Sequence, residues 1–447
     1  MNDCLAGPLE LRPPKSVADA IEQKFVLAAA LKAEHALRDW ALTETGWSGA
    51  RHAGAGPFAF SYGYQRADLN IRGPAVYPLD WSRLFQRTIH TCSGMSAISA
   101  LMMALKKLGA ADVVMPAGAY AETLEIMELH GAPLRLVRDG DKAGAAAKIL
   151  WLDSSAPSWQ PPRDASCDLV VFDTTCFWRR SGRIRRVLAW ALRAGVPIAL
   201  VRSHTKLDAL GVEYGRAGSV VFVASPTAPA DRIAWLRRLI QHFCDAVRLF
   251  GGAAIPAHFP PFVGSARYDA LSAQRIATIQ RNCRRLVRAL AARGMDRRTV
   301  SAFPHGLYVT LSPRQQMDRE RATELAESCS RDLRQAGLPV RHAGSFGFDF
   351  VAIEWSRDTA AETTVIRVAA SDLPSAMMDD VAQGIARWWR KIERPRPASS
   401  KRRRIEEPRP GALVYRTGPL HQGDHEPSGK ARVLLDRKRA GDVLSGA

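Results

Sequence analysis

Fully apolar runs alternating with helical patterns leave this chain few folds. Ile149–Leu152, Leu169–Phe172, Val196–Val201 and Val220–Val223 contain no charged or polar residue. A strand with one wet face would alternate; an uninterrupted apolar run is covered on both sides. Around these runs, Met95–Leu108, Glu122–His130, Ile184–Arg193 and Asp231–Leu249 read as helices, the first three closed by Gly109, Gly131 and Gly195. Val113–Met115 and Leu134–Val137 add shorter strands. Repeated β-α-β units with buried strands predict an α/β fold whose main sheet is largely parallel and sandwiched by helices.

The rest of the chain has a different texture. Residues 16–45 predict an amphipathic helix with Val17, Ile21, Phe25, Val26 and Leu31 on one face, followed by the Gly/Pro-rich stretch Gly49–Pro57. Gly251-Gly252 and the prolines at 256, 260 and 261 mark a boundary. Beyond it a long helix, Ala270–Arg293, precedes a strand at Gly306–Leu311 and a helix at Arg319–Gln335. Strands at Phe350–Trp355 and Val365–Ala369 then lead to a Trp-rich helix, Ala376–Ile392. The expected division is an N-terminal helical arm (1–57), a large domain (58–255), a small C-terminal α+β domain (256–395) and a basic disordered tail (396–447).

Charge and cysteine content bound the function. The formal charge is +19, yet from Lys391 onward 14 Lys/Arg face 7 Asp/Glu, and the remaining excess is spread over helix faces. No nucleic-acid-binding fold accompanies it, which argues against that partner class. The seven cysteines are dispersed with no Cys-x-x-Cys pair, which argues for reduced thiols, a cytoplasmic setting and no metal site. Met1–Pro14 lacks a signal-peptide layout and no apolar run reaches membrane-spanning length. Lys401–Arg404 reads as a solvated basic patch; His90 and His204 read as packing or hydrogen-bonding residues rather than catalytic bases.

Two of the apolar runs carry chemistry at their C-terminal ends, the edge where an open α/β sheet binds ligands. Leu169–Phe172 ends in Asp173, and Val196–Val201 leads to Arg202-Ser203-His204-Thr205-Lys206. Upstream, Ser93-Gly94-Met95 opens a helix, whose exposed N–H groups suit a phosphate. A lysine for a Schiff base and a carboxylate for a ring nitrogen are what pyridoxal 5′-phosphate requires.

With Tyr120, Asp173 and Ser203-x-Thr205-Lys206 in that order, the chain resembles the pyridoxal-phosphate enzymes of fold type I, most of all the Cys/Met-metabolism family of cystathionine and methionine lyases and synthases. Ser93–Ile98 resembles its phosphate-binding turn, and Tyr120-Ala121-Glu122-Thr123 its Tyr-Gly-Gly-Thr element, whose tyrosine stacks on the cofactor ring. The resemblance makes Asp173 the partner of the ring nitrogen, Ser203 and Thr205 phosphate contacts, and Lys206 the Schiff-base lysine. Tyr62–Asn70 is similar to a segment whose tyrosine and arginine, here Tyr64 and Arg66, reach the cofactor of a neighbouring subunit, implying a homodimer or tetramer. Val365–Val368 resembles the strand whose arginine, here Arg367, clamps the substrate carboxylate, and Ser345 matches a serine that assists it.

Departures leave the reaction open. Asp153–Trp159 stands where the family carries Glu-x-Pro-Ser-Asn-Pro, and Leu207–Gly215 replaces its Gly-His-Ser-Asp run. A full helix lies between Asp173 and Lys206, more like an aminotransferase. The resemblance implies an enzyme acting on an L-amino acid by β/γ-elimination or replacement, with Lys206, Tyr120 and Asp173 as its catalytic residues. Transamination is the alternative, and a catalytically lapsed fold used for binding is the remote one. The substrate side chain is not legible.

Overall fold

The computed structural model of the chain describes residues 1–41, 56–62, 69–79, 82–137, 147–157, 160–162, 166–313 and 315–393. Tyr64, Arg66 and the expected tail lie outside the described residues. Met1–Pro395 form one compact unit.

In chain order the elements begin with helix α1 (Val17–Ala41) and the hairpin β1 (Ala59–Tyr62) and β2 (Leu69–Arg72). Next come β3 (Phe85–Thr91), α2 (Gly94–Leu108), β4 (Ala111–Val114), α3 (Ala121–His130), β5 (Leu134–Val137), β6 (Ala147–Asp153) and β7 (Leu169–Asp173). The large sheet is completed through α4 (Gly182–Arg193), β8 (Ile198–Ser203), β9 (Gly218–Ala224) and α5 (Ala230–Leu249). Its seven strands run in the order β3-β9-β8-β7-β6-β4-β5. Only β9 opposes the others, being antiparallel to both β3 and β8. The mainly parallel sheet expected from the apolar runs is therefore present.

Burial explains why those runs carry no polar residue. Leu169 and Val171 of β7 face one core with α2 and α5, whereas Val170 and Phe172 face a second core with α4. Ala199 and Val201 against Ile198 and Leu200 divide β8 in the same way. Each such buried side chain contributes about 1.5–3 kcal/mol relative to exposure. A polar residue on either face would forfeit that and bury an unpaired group.

The second sheet follows α6 (Ala266–Ala291) and comprises β10 (Val300–Ala302), β11 (Tyr308–Leu311), β12 (Val340–His342), β13 (Val351–Asp358) and β14 (Thr363–Ala369), with α7 (Arg319–Gln335) after β11 and α8 (Ser375–Glu393) last. Its order is β10-β11-β14-β13-β12. The apolar sides of α6, α7 and α8 pack with this sheet into one cluster. Trp388 and Trp389, each 2% exposed, lie in it and fix α8 as their spacing predicts. Among the described residues, no helix is long and apolar enough to cross a membrane.

Candidate active site

Among the described residues, the loops that carry Ser93–Met95, Tyr120, Asp173 and Ser203–Lys206 leave the same edge of the seven-stranded sheet. β4 lies between β5 and β6, so the chain reverses direction across the sheet there, and α/β sheets place ligands at such a crevice. Tyr120 follows β4 and is joined to the last residue of β6: its backbone N–H donates to Asp153 Oδ2 at 2.9 Å. Asp153 is paired in register with Asp173, the last residue of β7.

The two carboxyl groups are 1% and 7% exposed. Asp153 accepts a second hydrogen bond from the Ser155 N–H at 2.7 Å, and Asp173 accepts one from the Thr175 N–H at 2.7 Å. Neither has a salt-bridge partner among the described residues. Burial, and for Asp173 the adjoining Asp153 charge, raise both above the ordinary carboxylate range. Two buried acids without a counter-ion form a site that gains from a cation, or from a donor N–H, placed against them.

The loop after β8 approaches from the other side. Ser203 N–H donates to Thr175 Oγ1 at 3.0 Å, tying it to the Asp173 loop, and the Ser203 and Thr205 hydroxyls lie 3.0 Å apart. Lys206 follows, and its Nζ donates to Ser345 Oγ at 2.6 Å. Burial and the charge of Arg367 lower the Lys206 pKa, which favours the neutral, nucleophilic amine. Beneath it, Arg202 is fully buried and grips Asp208 with two bonds of 2.7 and 2.6 Å. The same guanidinium donates to the carbonyls of Thr174 and Phe177 at 3.0 and 2.8 Å, joining the aspartate and lysine loops. His204 is engaged by Asp208 and Ser219 at 2.8 and 2.9 Å. Burial, followed by His204, pushes His90 down to about 3, so that it is neutral. His90 packs against the rings of His204 and Phe259.

The N-terminus of α2 completes this group. Ser93 caps the helix by accepting from the Ser96 N–H, while Ser96 Oγ accepts from the Ser93 N–H, both at 3.0 Å. This capping box leaves the N–H groups of Gly94 and Met95 without a partner among the described residues. Glycine is needed twice for close approach. A Cβ on Gly94 would lie 2.8 Å from Ser203 Cβ, and one on Gly218 would lie 2.3 Å from the Ser93 carbonyl oxygen. Gly218→Ala should therefore cost about 1–3 kcal/mol in urea unfolding. Gly182→Ala meets nothing within 4 Å and should be neutral or mildly stabilising. Equal midpoints for the two variants would contradict this packing.

The second sheet supplies the remaining wall. Gly347 packs against the Lys206 carbonyl, where a Cβ would be only 2.7 Å away. Arg367 on β14 has its guanidinium carbon 5.3 Å from the Tyr308 ring centre, and its Nη2 is ion-paired with Glu354 Oε1 of β13. Tyr120 is half-buried, and burial together with Glu122 raises its phenol above the usual value, so it stays protonated. The structure thus brings together Ser93, Gly94, Met95, Tyr120, Asp173, Ser203, Thr205, Lys206, Ser345 and Arg367. Ser345 contacts Lys206; Arg367 contacts Glu354. Asp153, Thr175 and Glu354 were not singled out as site residues from sequence. Asp153 carried a usable signal, since it closes an apolar run just as Asp173 does; Glu354 carried none.

No protein-family model matches the chain, and no curated protein matches it. Among solved structures, a cystathionine gamma-lyase from yeast is similar at 13% identity and TM-score 0.45, covering 67% of this chain and 81% of that one. A methionine gamma lyase from Micromonospora echinospora is similar at 16% identity and TM-score 0.44, with the same coverage. An alanine aminotransferase from Pyrococcus furiosus is similar at 10% identity and TM-score 0.44, covering 68% and 76%. Likenesses at this level carry no argument about activity.

Proposed function

We propose that this chain is a pyridoxal-phosphate-dependent enzyme acting on the amino group of an amino acid or a related amine. One observation carries the reading: a half-buried lysine amine, a buried carboxyl pair with no salt-bridge partner among the described residues and an open helix N-terminus converge at one sheet edge. Chance rarely assembles these three, and the residues fit the group. The Gly94 and Met95 amides, with the Ser203 and Thr205 hydroxyls, would hold its phosphate. Asp173, backed by Asp153, would hold the ring nitrogen, and Lys206 its aldehyde carbon.

When bound, the cofactor supplies an electron sink for bonds at the substrate α-carbon. The protein supplies positioning and proton transfer. Asp173 would sit against the ring nitrogen and favour a proton there, since a cation beside this buried carboxyl pair offsets charge that burial makes costly. Lys206 would serve as a base of lowered pKa whose Nζ is steered by Ser345. Tyr120, held protonated, is a donor for a departing group. Arg367 places a cation beside Lys206 that is already ion-paired with Glu354.

Elimination or replacement at Cβ or Cγ follows from the likeness of the Ser93–Ile98, Tyr120 and Lys206 segments to the Cys/Met-metabolism enzymes. Transamination is the second reading, favoured by helix α4 standing between Asp173 and Lys206. A homodimer or tetramer with Tyr64 and Arg66 crossing to the neighbouring site belongs to the same proposal.

The test is to add pyridoxal phosphate to the purified protein, reduce with borohydride and locate the label. The loaded protein is then given amino acids with and without a keto acid. Ammonia release without an acceptor indicates elimination, and acceptor-dependent turnover indicates transamination. Asp173→Asn should retain the label while turnover falls at least about a hundredfold. Undiminished turnover would remove Asp173 from its role.

A further inference from the structure

Glu354 and Arg367 are register partners on adjacent strands, and both side chains are 14% exposed. The pair faces the site: Arg367 acts electrostatically on Lys206, Tyr120 and Cys176. It is also built in from the other side. A Cβ on Gly344 would lie 2.7 Å from Glu354 Oε2, so a side chain there would push the carboxylate off its place. Gly344 directly precedes the serine that holds Lys206.

This ion pair changes what the site can recognise. With Nη2 engaged by Glu354, the buried Arg367 Nε has no hydrogen-bond partner among the described residues. A substrate carboxylate seeking that edge would sit beside the Glu354 carboxylate on a single guanidinium. Like charges in a half-dry pocket repel more strongly than in water. The arginine charge that would attract the substrate is already offset, so an α-amino monocarboxylate must share it or expel Glu354. An amine with no carboxylate at that position meets neither cost.

We propose that Glu354 determines substrate class here, occupying the carboxylate position on Arg367 and favouring primary amines that lack an α-carboxylate over the corresponding α-amino acids. The proposal rests on the reading of the site as one that binds pyridoxal phosphate.

The test uses the loaded full-length protein and a matched pair of ligands, L-norvaline and butylamine, which differ only in the carboxylate. Affinities are read by absorbance titration and calorimetry, apart from turnover. Wild type should hold butylamine at least as tightly as norvaline. Glu354→Gln should tighten norvaline by about tenfold or more and leave butylamine within about twofold, since both ligands present the same amine and only norvaline presents a carboxylate for Glu354 to repel. Glu354→Ala repeats the measurement without an amide that could keep the bond to Arg367. Equal or weaker norvaline binding in both variants would overturn the proposal. So would a wild-type protein that holds norvaline more tightly than butylamine, a comparison that survives if the variants fail to fold. A wild-type protein that attaches no pyridoxal phosphate would instead fail at the functional reading itself.

Discussion

Lys206→Ala should abolish borohydride-fixed attachment of pyridoxal phosphate and lower turnover by roughly 10²–10⁴-fold or more, the range of a lost acid–base group alone. The fold should survive the change. Lys206 lies beyond the end of β8, its side chain is half-exposed at the rim, and its one hydrogen bond is to Ser345. No ion pair is broken, and the lowered lysine pKa means that burying the charged amine opposes folding. The sign follows from that shift. A folded pKa below the unfolded value makes the group destabilising while it is protonated, and the cost disappears as pH rises above the unfolded pKa. The variant should therefore be as stable as wild type, or more so, at neutral pH, by chemical denaturation. Non-covalent binding should persist through the α2 N-terminus and Ser203, so the cofactor would still be retained, without a label. A variant that labels as wild type does would move the attachment site to another lysine.

The parts of this fold legible in sequence are those whose burial is two-sided. β7 and β8 are apolar because both faces are covered, and an acid or lysine at the end of such a run stands out. β3 does not: its sequence Phe-Gln-Arg-Thr-Ile-His-Thr is only partly buried at the sheet edge, so its polar residues hide the strand. β10 and β12, with three residues each, are too short for any period to register. The same distinction runs through the site. Asp173 and Lys206 could be read locally, but the coupling of Asp173 to Asp153 depends on β6 and β7 being neighbours, which is a property of the sheet order. Arg367 resembles a free carboxylate clamp when read alone. Its ion pair with Glu354 exists only because β13 and β14 close in a particular antiparallel register. Ser345, expected beside that clamp, instead accepts from Lys206, because the loop carrying it packs on the lysine carbonyl at Gly347.

Asp208→Asn is expected to destabilise the protein by about 3–5 kcal/mol. Arg202 is fully buried and Asp208 7% exposed, and their paired hydrogen bonds close the short loop that carries Lys206. Removing the charge leaves the guanidinium with one amide oxygen at 208 and the Thr174 and Phe177 carbonyls, which accept hydrogen bonds without balancing its charge. His204 loses the acceptor for its Nδ1 in the same step. Burial alone would raise the Asp208 pKa, but Arg202, by charge and hydrogen bonds, holds it well below the usual carboxylate range. A depressed folded pKa contributes stability above the unfolded value of about 3.9, and that stability is lost progressively as pH falls from there through the depressed folded value. Wild type should lose this portion on acidification, whereas Asp208→Asn should lack both the stability and that part of its acid dependence. The measurement is the urea midpoint from pH 7 down to pH 3, with cofactor labelling followed in parallel. Because Arg202 also anchors the Asp173 loop, labelling of Lys206 should weaken along with stability. A variant that unfolds at the wild-type urea concentration at pH 7 would mean that the Arg202–Asp208 pair does not hold the lysine loop.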